Sequence, residues 1–378
     1  MLRPFLRLIG IAIAGFSLTI VGAQGEIVDW TPSATHAGDI RARLRIDAQE
    51  IAVDLRVIKP AVHLNGGTLV IETGKSAAFA TSAMLRNMTV ATIDLAGLVE
   101  SQRGPALRDL IGKLKRETAA AHVLAHGDPQ TSSALLANAT LFDGLLLENL
   151  APPAQLTSPR IITLFGVDGL SNLSGSLTAR IAQPVNQRGF YLTNTLLAAP
   201  AIDRSCKITF DPASADPARR ALLVALEAWM RGVKPPASRL PAAADLAPAR
   251  TLDWPKIPDF SPPPADDRPL LRIDVDGNQI SGLRMPDQML PIATFVSVNA
   301  RRGISGKPCD DGGVFPFAAT RAAREAKHDP RLSLVERYGS RAYYVATLRV
   351  VADRLVRERL LLPQDADAYV AAGKVAPF

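Results

Sequence analysis

Residues 121–133 read Ala-His-Val-Leu-Ala-His-Gly-Asp-Pro-Gln-Thr-Ser-Ser. The stretch 121–125 is a short, mostly apolar strand candidate, Gly127 to Pro129 break it, and Ser133 to Thr140 has helical character. A strand, a sharp turn and a helix in direct succession is how a parallel sheet presents side chains at its carboxyl edge. The fold therefore turns on whether the flanking segments repeat this alternation.

They do. Gly67–Thr73 (GTLVIET), Met88–Leu95 (MTVATIDL) and Ile161–Phe165 (IITLF) are apolar, β-branched runs, and Gly189–Thr193 is a further short one. Ala77–Leu85 has helical character. Residues 105–121 carry Leu107, Leu110, Ile111 and Leu114 at helical spacing, and Pro217–Met230 carries Ala221, Leu222, Leu226 and Trp229. Strands apolar on both faces, alternating with helices, predict an α/β fold with a mostly parallel sheet covered by helices. Residues 24–65 alternate apolar and polar, at Ala42–Ile46 and Ile51–Ile58, and predict an antiparallel hairpin at the sheet's edge.

From residue 233 to 271 ten prolines exclude regular core elements. Leu252, Trp254, Ile257 and Phe260 recur there as apolar anchors, so the segment reads as a surface wrap. Leu271–Leu283 predicts a hairpin around Asp276-Gly277. Arg341–Leu362 predicts a helix, with Val345, Leu348, Ala352, Leu355 and Val356 on one face and Pro363 as its stop. The expected organisation is a leader at 1–23, a core at 24–232, and a proline-rich wrap, hairpin and helical lobe at 233–378.

Hydrophobic residues make up 47% and charged residues 21% of 378, enough for a large core. Arg3 and Arg7 precede an uncharged run, Leu8–Val21, which ends in Gly22-Ala23. These are the parts of a secretory leader with cleavage after Ala23, and the run is too short for the roughly 20 residues of a membrane span. The formal charge of +7 falls by two without the leader, the basic residues do not cluster, and aromatics are only 5%. That argues against a nucleic-acid surface. Cys206 and Cys309 are the two cysteines; in an exported protein they are expected to pair. No dinucleotide fingerprint, P-loop or Cys/His cluster points to a cofactor or metal.

Ala221–Pro236 (ALLVALEAWMRGVKPP), Val275–Pro291 (VDGNQISGLRMPDQMLP), Phe315–Arg324 (FPFAATRAAR) and Asp329–Val345 (DPRLSLVERYGSRAYYV) occur in this order. As a set they resemble the α/β-hydrolase domain-containing proteins related to phthalyl amidase, over roughly residues 204–372. Phe142-Asp143-Gly144 adds to the resemblance. It implies an α/β-hydrolase fold with a C-terminal lobe, and hydrolysis of an ester or amide.

Such chemistry needs a nucleophile on a strained turn, a histidine to take its proton and an acid to orient the histidine, in that chain order. The family's turn resembles Gly-x-Ser-x-Ser-Gly. Laid on Gly127, it puts Asp128 second, Pro129 at the nucleophile, then Gln130, Thr131 and Ser132. The resemblance places the acid at Asp168 and the histidine at Ala198. Of five histidines (His36, His63, His122, His126 and His328) only His328 follows the turn, in the charged stretch Lys327-His328-Asp329. The expectation is a degenerate triad and a non-catalytic protein whose pocket binds a small apolar ligand or a partner. The alternative is an active serine esterase or amidase whose nucleophile has moved to Ser132 or Ser133, beside His126 and Asp128. Against it, the two serines are expected to cap the following helix.

Overall fold

The structure is a computed structural model that describes residues 25–32, 38–60, 67–74, 79, 88–173, 184–198, 214–296, 299–300, 308–309 and 313–378. Nine strands form the main sheet: β1 (Gly25–Pro32), β2 (Asp39–Ile46), β3 (Gln49–Ile58), β4 (Thr68–Thr73), β5 (Met88–Ile93), β6 (His122–Gly127), β7 (Gly144–Glu148), β8 (Arg160–Phe165) and β9 (Gln187–Tyr191). Their order is β1-β2-β3-β5-β4-β6-β7-β8-β9. The β1, β2, β3 and β5 neighbours pair antiparallel; from β5 to β9 every pairing is parallel. The expected α/β class and antiparallel edge are both present. The chain leaves β4 toward β5, then returns to the other side of β4 as β6. That reversal is the topological switch point, where open α/β sheets form their sites beyond the strands' carboxyl ends.

Side chains alternate across the sheet, so each central strand feeds two cores. Leu69, Ile71, Ala125, Leu145 and Leu147 face α1 (Glu100–Thr118), which contributes Leu107, Leu110 and Leu114. A short α2 (Ser132–Ala137) lies on the same side through Leu135. Val70, Leu124, Leu146 and Ile162 face α3 (Asp216–Met230), which contributes Ala218, Leu222 and Leu226. Pro217 suits the first turn of α3, where its missing N–H costs nothing. Helix α1 begins at Glu100, five residues ahead of the expected start, and runs through Pro105.

After α3 the proline-rich residues 233–271 form few regular elements. Its only ladder there, among the described residues, joins β10 (Leu246–Pro248) to β11 (Pro269–Leu271). Ile257 is buried with Val296 and Phe315, and Trp254 and Phe260 pack against them. The expected hairpin at 271–283 is reduced to a tight turn with one bridge, Ile273 to Gln279, and Gly277 at φ +85°. Helix α4 (Pro286–Met289) follows. Strand β12 (Ala293–Val296) pairs with β15 (Gly313–Pro316), and β13 (Asn299–Ala300) pairs with β14 (Pro308–Cys309). Helices α5 (Arg321–Ala326), α6 (Leu334–Tyr338), α7 (Arg341–Arg357) and α8 (Pro363–Lys374) complete the chain. Helix α7 stops at Arg357, and Arg359 leaves it at φ +59°; Pro363 opens α8 instead of ending α7. Leu283, Met285, Ala352, Leu355 and Leu360 join the α3-side core.

No described helix is long and apolar enough to cross a membrane. The leader at 1–23, the helix at 77–85 apart from Phe79, and Cys206 lie outside the described residues, as does the Cys309 side chain.

Candidate active site at the carboxyl edge of the sheet

Strands β6, β8 and β9 are parallel, so the turn after β6, the loop after β8 and the loop after β9 leave from one edge. The turn from Gly127 to Ser132 is tight. A Cβ on Gly127 would stand 2.9 Å from the Ser132 Cα, which only glycine permits. Pro129 occupies the turn between strand and helix and is half-buried. No residue from 127 to 132 has positive φ, so the strained dihedral of a nucleophile turn is absent. The Asp128 carboxylate stabilises the turn from within. Its Oδ1 accepts the Gln130 amide at 3.0 Å, the Thr131 amide at 2.9 Å and the Thr131 hydroxyl at 2.8 Å.

Ser132 does not cap α2 with its side chain; Thr131 holds the cap position. The Ser132 hydroxyl is buried, donates to the Gly127 carbonyl at 2.8 Å and accepts the Glu148 amide at 2.8 Å. It splices the turn to the end of β7. Ser133 is exposed.

Asp168 follows β8 in a short 3-10 turn. Its Oδ1 accepts the Leu197 amide at 3.0 Å, and its Oδ2 accepts the Ala198 amide at 3.1 Å and the Asn149 side-chain amide at 2.8 Å. The positions inferred for acid and histidine are thus neighbours, and the carboxylate is bonded to the backbone of the loop. Asn149, at φ +51° just after β7, also holds the Gly166 amide at 2.9 Å. A continuous path of contacts therefore runs from the turn through Ser132, Glu148, Asn149 and Asp168 to Ala198. His328 lies in the lobe, exposed, at φ +53°.

Beneath this edge lies a charged cluster that the sequence reading passed over. Glu72 of β4, His126 of β6 and Glu148 of β7 point to the α3 side, and Arg219 of α3 meets them; the first three are 0% exposed. His126 Nε2 is 2.9 Å from Glu148 Oε1. Arg219 donates to Glu148 through Nε at 2.6 Å and Nη2 at 2.8 Å, to Asp216 at 3.0 Å and to the Leu197 carbonyl at 2.9 Å. Burial pushes the Glu148 carboxyl up, but the bonds from His126 and Arg219 outweigh it and hold Glu148 below the usual glutamate range. Burial disfavours the Arg219 cation, yet Glu148 and Asp216 keep it more firmly charged than usual. An ionised Glu148 can only accept, so His126 Nε2 carries the hydrogen. Glu72 lacks such support. Burial raises its carboxyl to about 7 despite His126 and a 3.3 Å bond from Thr92. Phe79 closes over the imidazole edge-on, with ring centroids 4.9 Å apart. The signal for the cluster was available: a charge inside an apolar strand or on the apolar face of a helix requires a partner.

Chemically, the edge offers an acid bonded to backbone and a histidine locked under the sheet's end against two carboxyls. Among the described residues no group of three or more His, Cys, Asp or Glu could hold a metal ion.

The model of a family described as alpha/beta hydrolase domain matches residues 174–371, a little over half of the chain. No curated protein matches. Among solved structures the chain is similar to a thermostable esterase, at 11% identity and a TM-score of 0.33, over 41% of this chain and 54% of that one. It is similar to the glucuronoyl esterase from Solibacter usitatus at 10% identity and a TM-score of 0.25, over 34% and 52%. It is also similar to a cold-adapted esterase from an Arctic intertidal metagenomic library, at 9% identity and 0.33, over 43% and 88%. The chain thus spans about half the length of the first two.

Proposed function

The chain belongs to the alpha/beta hydrolase domain family, and from that premise we propose that it is a pseudo-hydrolase, a protein that retains the hydrolase scaffold and binds at its carboxyl edge without cleaving. One observation carries the reading: Asp168 grips the backbone at Ala198, while Pro129 stands in the turn after β6. Pro129 has no nucleophilic atom, and the Ala198 side chain cannot accept a proton. Loss of one triad member leaves residual rate through binding and the oxyanion hole; loss of both removes nucleophile and proton transfer together. In this reading Asp168 is the remnant acid.

The ligand we propose is a small apolar molecule. We also propose that residues 1–23 are removed on export and that Cys206 bonds to Cys309. Thiol titration of the unfolded protein, before and after reduction, should rise from none to two.

The test is turnover of a panel of p-nitrophenyl esters and anilides by the mature protein, beside Ser132→Ala and Ser133→Ala. Rates equal to buffer are expected throughout. Turnover that disappears in either variant would replace this reading with that of an esterase whose nucleophile has moved.

A further inference from the structure

Two buried atoms at the switch point have no hydrogen-bond partner among the described residues: Glu72 Oε1 and His126 Nδ1. They face each other at 4.0 Å. Both side chains are 0% exposed, and unpartnered polar atoms at such depth are costly. The groups around Glu72 are Thr92 of β5, His126 of β6, and Arg219 and Asp216 of α3; Glu148 of β7 lies beyond the imidazole. Thr92 is neutral. Arg219 is engaged by Glu148 and Asp216. Among the described residues only His126 is placed to answer the free oxygen of Glu72.

Proton accounting fixes what that answer must be. His126 Nε2–H is given to Glu148, so Nδ1 of the neutral ring is a bare acceptor. If Glu72 were ionised and the ring neutral, two lone pairs would face each other in a space closed by Phe79. One added proton removes the conflict. That proton sits on Glu72, whose hydroxyl then points at Nδ1 across the 4.0 Å gap.

We infer that Glu72 and His126 hold one shared proton beneath the turn, and that releasing it loosens the turn: a proton-operated latch on the carboxyl edge. The mechanical link is short. Thr73, next to Glu72, places its hydroxyl 3.2 Å from the His126 carbonyl and 3.0 Å from the Thr131 hydroxyl. Thr131 in turn reaches the Thr73 carbonyl at 3.3 Å and Asp128 at 2.8 Å. Ser132 ties the turn to the Glu148 backbone at the other end of the cluster. A Glu72 that moves toward water therefore pulls on both threonines. This latch is independent of whether the edge binds or cleaves its ligand.

The sign follows from the closed pair's high affinity for its proton. In the open form Glu72 returns to the ordinary 4.5, against about 7 when closed. Between those values opening releases one proton, so the opening constant rises about tenfold per pH unit and then levels off. Native-state hydrogen exchange at the Gln130, Thr131, Ser132 and Glu148 amides, corrected for intrinsic rates, reads this directly. The wild type should show the rise. Glu72→Gln, whose amide donates to Nδ1 permanently, should stay closed and flat. A wild-type opening constant that does not change across the window, or the same rise in Glu72→Gln, overturns the latch. Carboxyl-carbon NMR of Glu72 in the wild type keeps the test decisive if Glu72→Gln does not fold. Titration near neutral is expected, and titration at the ordinary value refutes the shared proton.

Discussion

Arg219→Met should be among the most damaging single changes to this protein. Arg219 is 7% exposed and makes two bonds to Glu148, one to Asp216 and one to the Leu197 carbonyl. Methionine fills much of the volume of the side-chain stem, so little cavity forms. What remains is a carboxylate, 0% exposed, with His126 as its one side-chain partner among the described residues. Removing one member of a buried ion pair costs about 3–5 kcal/mol, because the other charge stays desolvated. Equilibrium denaturation by urea should register a loss of that size. The double variant Glu148→Gln/Arg219→Met removes the stranded charge and should recover at least about 1 kcal/mol of it. A loss below about 1 kcal/mol for Arg219→Met, or a double variant as unstable as the sum of the singles, would refute the reasoning.

Other consequences can be read by similar means. Glu72 contributes stability that is complete below its unfolded value of 4.5 and lost as pH rises to about 7, worth about 3 kcal/mol. The difference in urea midpoint between wild type and Glu72→Gln should change across that window and nowhere else. Glu148 acts oppositely: its folded value is lowered, so its contribution is present above the ordinary 4.5 and lost in acid. Ser132→Ala removes a buried hydroxyl and leaves the Glu148 amide without its acceptor. It should cost about 1–3 kcal/mol by denaturation. Gly282→Ala should cost about 2 kcal/mol or more, since Gly282 sits at φ +98° and a Cβ there would stand 2.5 Å from the Tyr191 carbonyl oxygen. The change should also weaken protection of the Leu283 amide, which bonds that oxygen.

The alternation of apolar strands with helices was legible because β4 and β8 are buried on both faces and carry β-branched runs bounded by turn residues. Strand β7, Gly-Leu-Leu-Leu-Glu, was not, since five leucine-rich residues have no period that separates strand from helix. Helix ends were misread at prolines. Pro105 lies inside α1 and Pro363 begins α8, because helix ends depend on capping and packing as well as on proline itself. Asp168 and the Ala198 backbone meet although thirty residues separate them, a contact no local pattern announces. The charged cluster was the larger gap. Glu72, His126, Glu148 and Arg219 are far apart in the chain, and only the β4-β6-β7 order with α3 across it brings them together. A sequence shows that each charge interrupts an apolar stretch but not which of them meet. The Ser132 bridge was hidden for the same reason, because its acceptor role is filled from another strand.

The central claim is that this hydrolase scaffold holds no activated serine. Intact mass of the protein from Gln24 onward, after incubation with a fluorophosphonate, tests it most directly. The account predicts an unshifted mass, in the wild type as in Ser132→Ala and Ser133→Ala. A stoichiometric adduct on the wild type that either substitution abolishes would contradict it, and would show that the edge still carries a nucleophile.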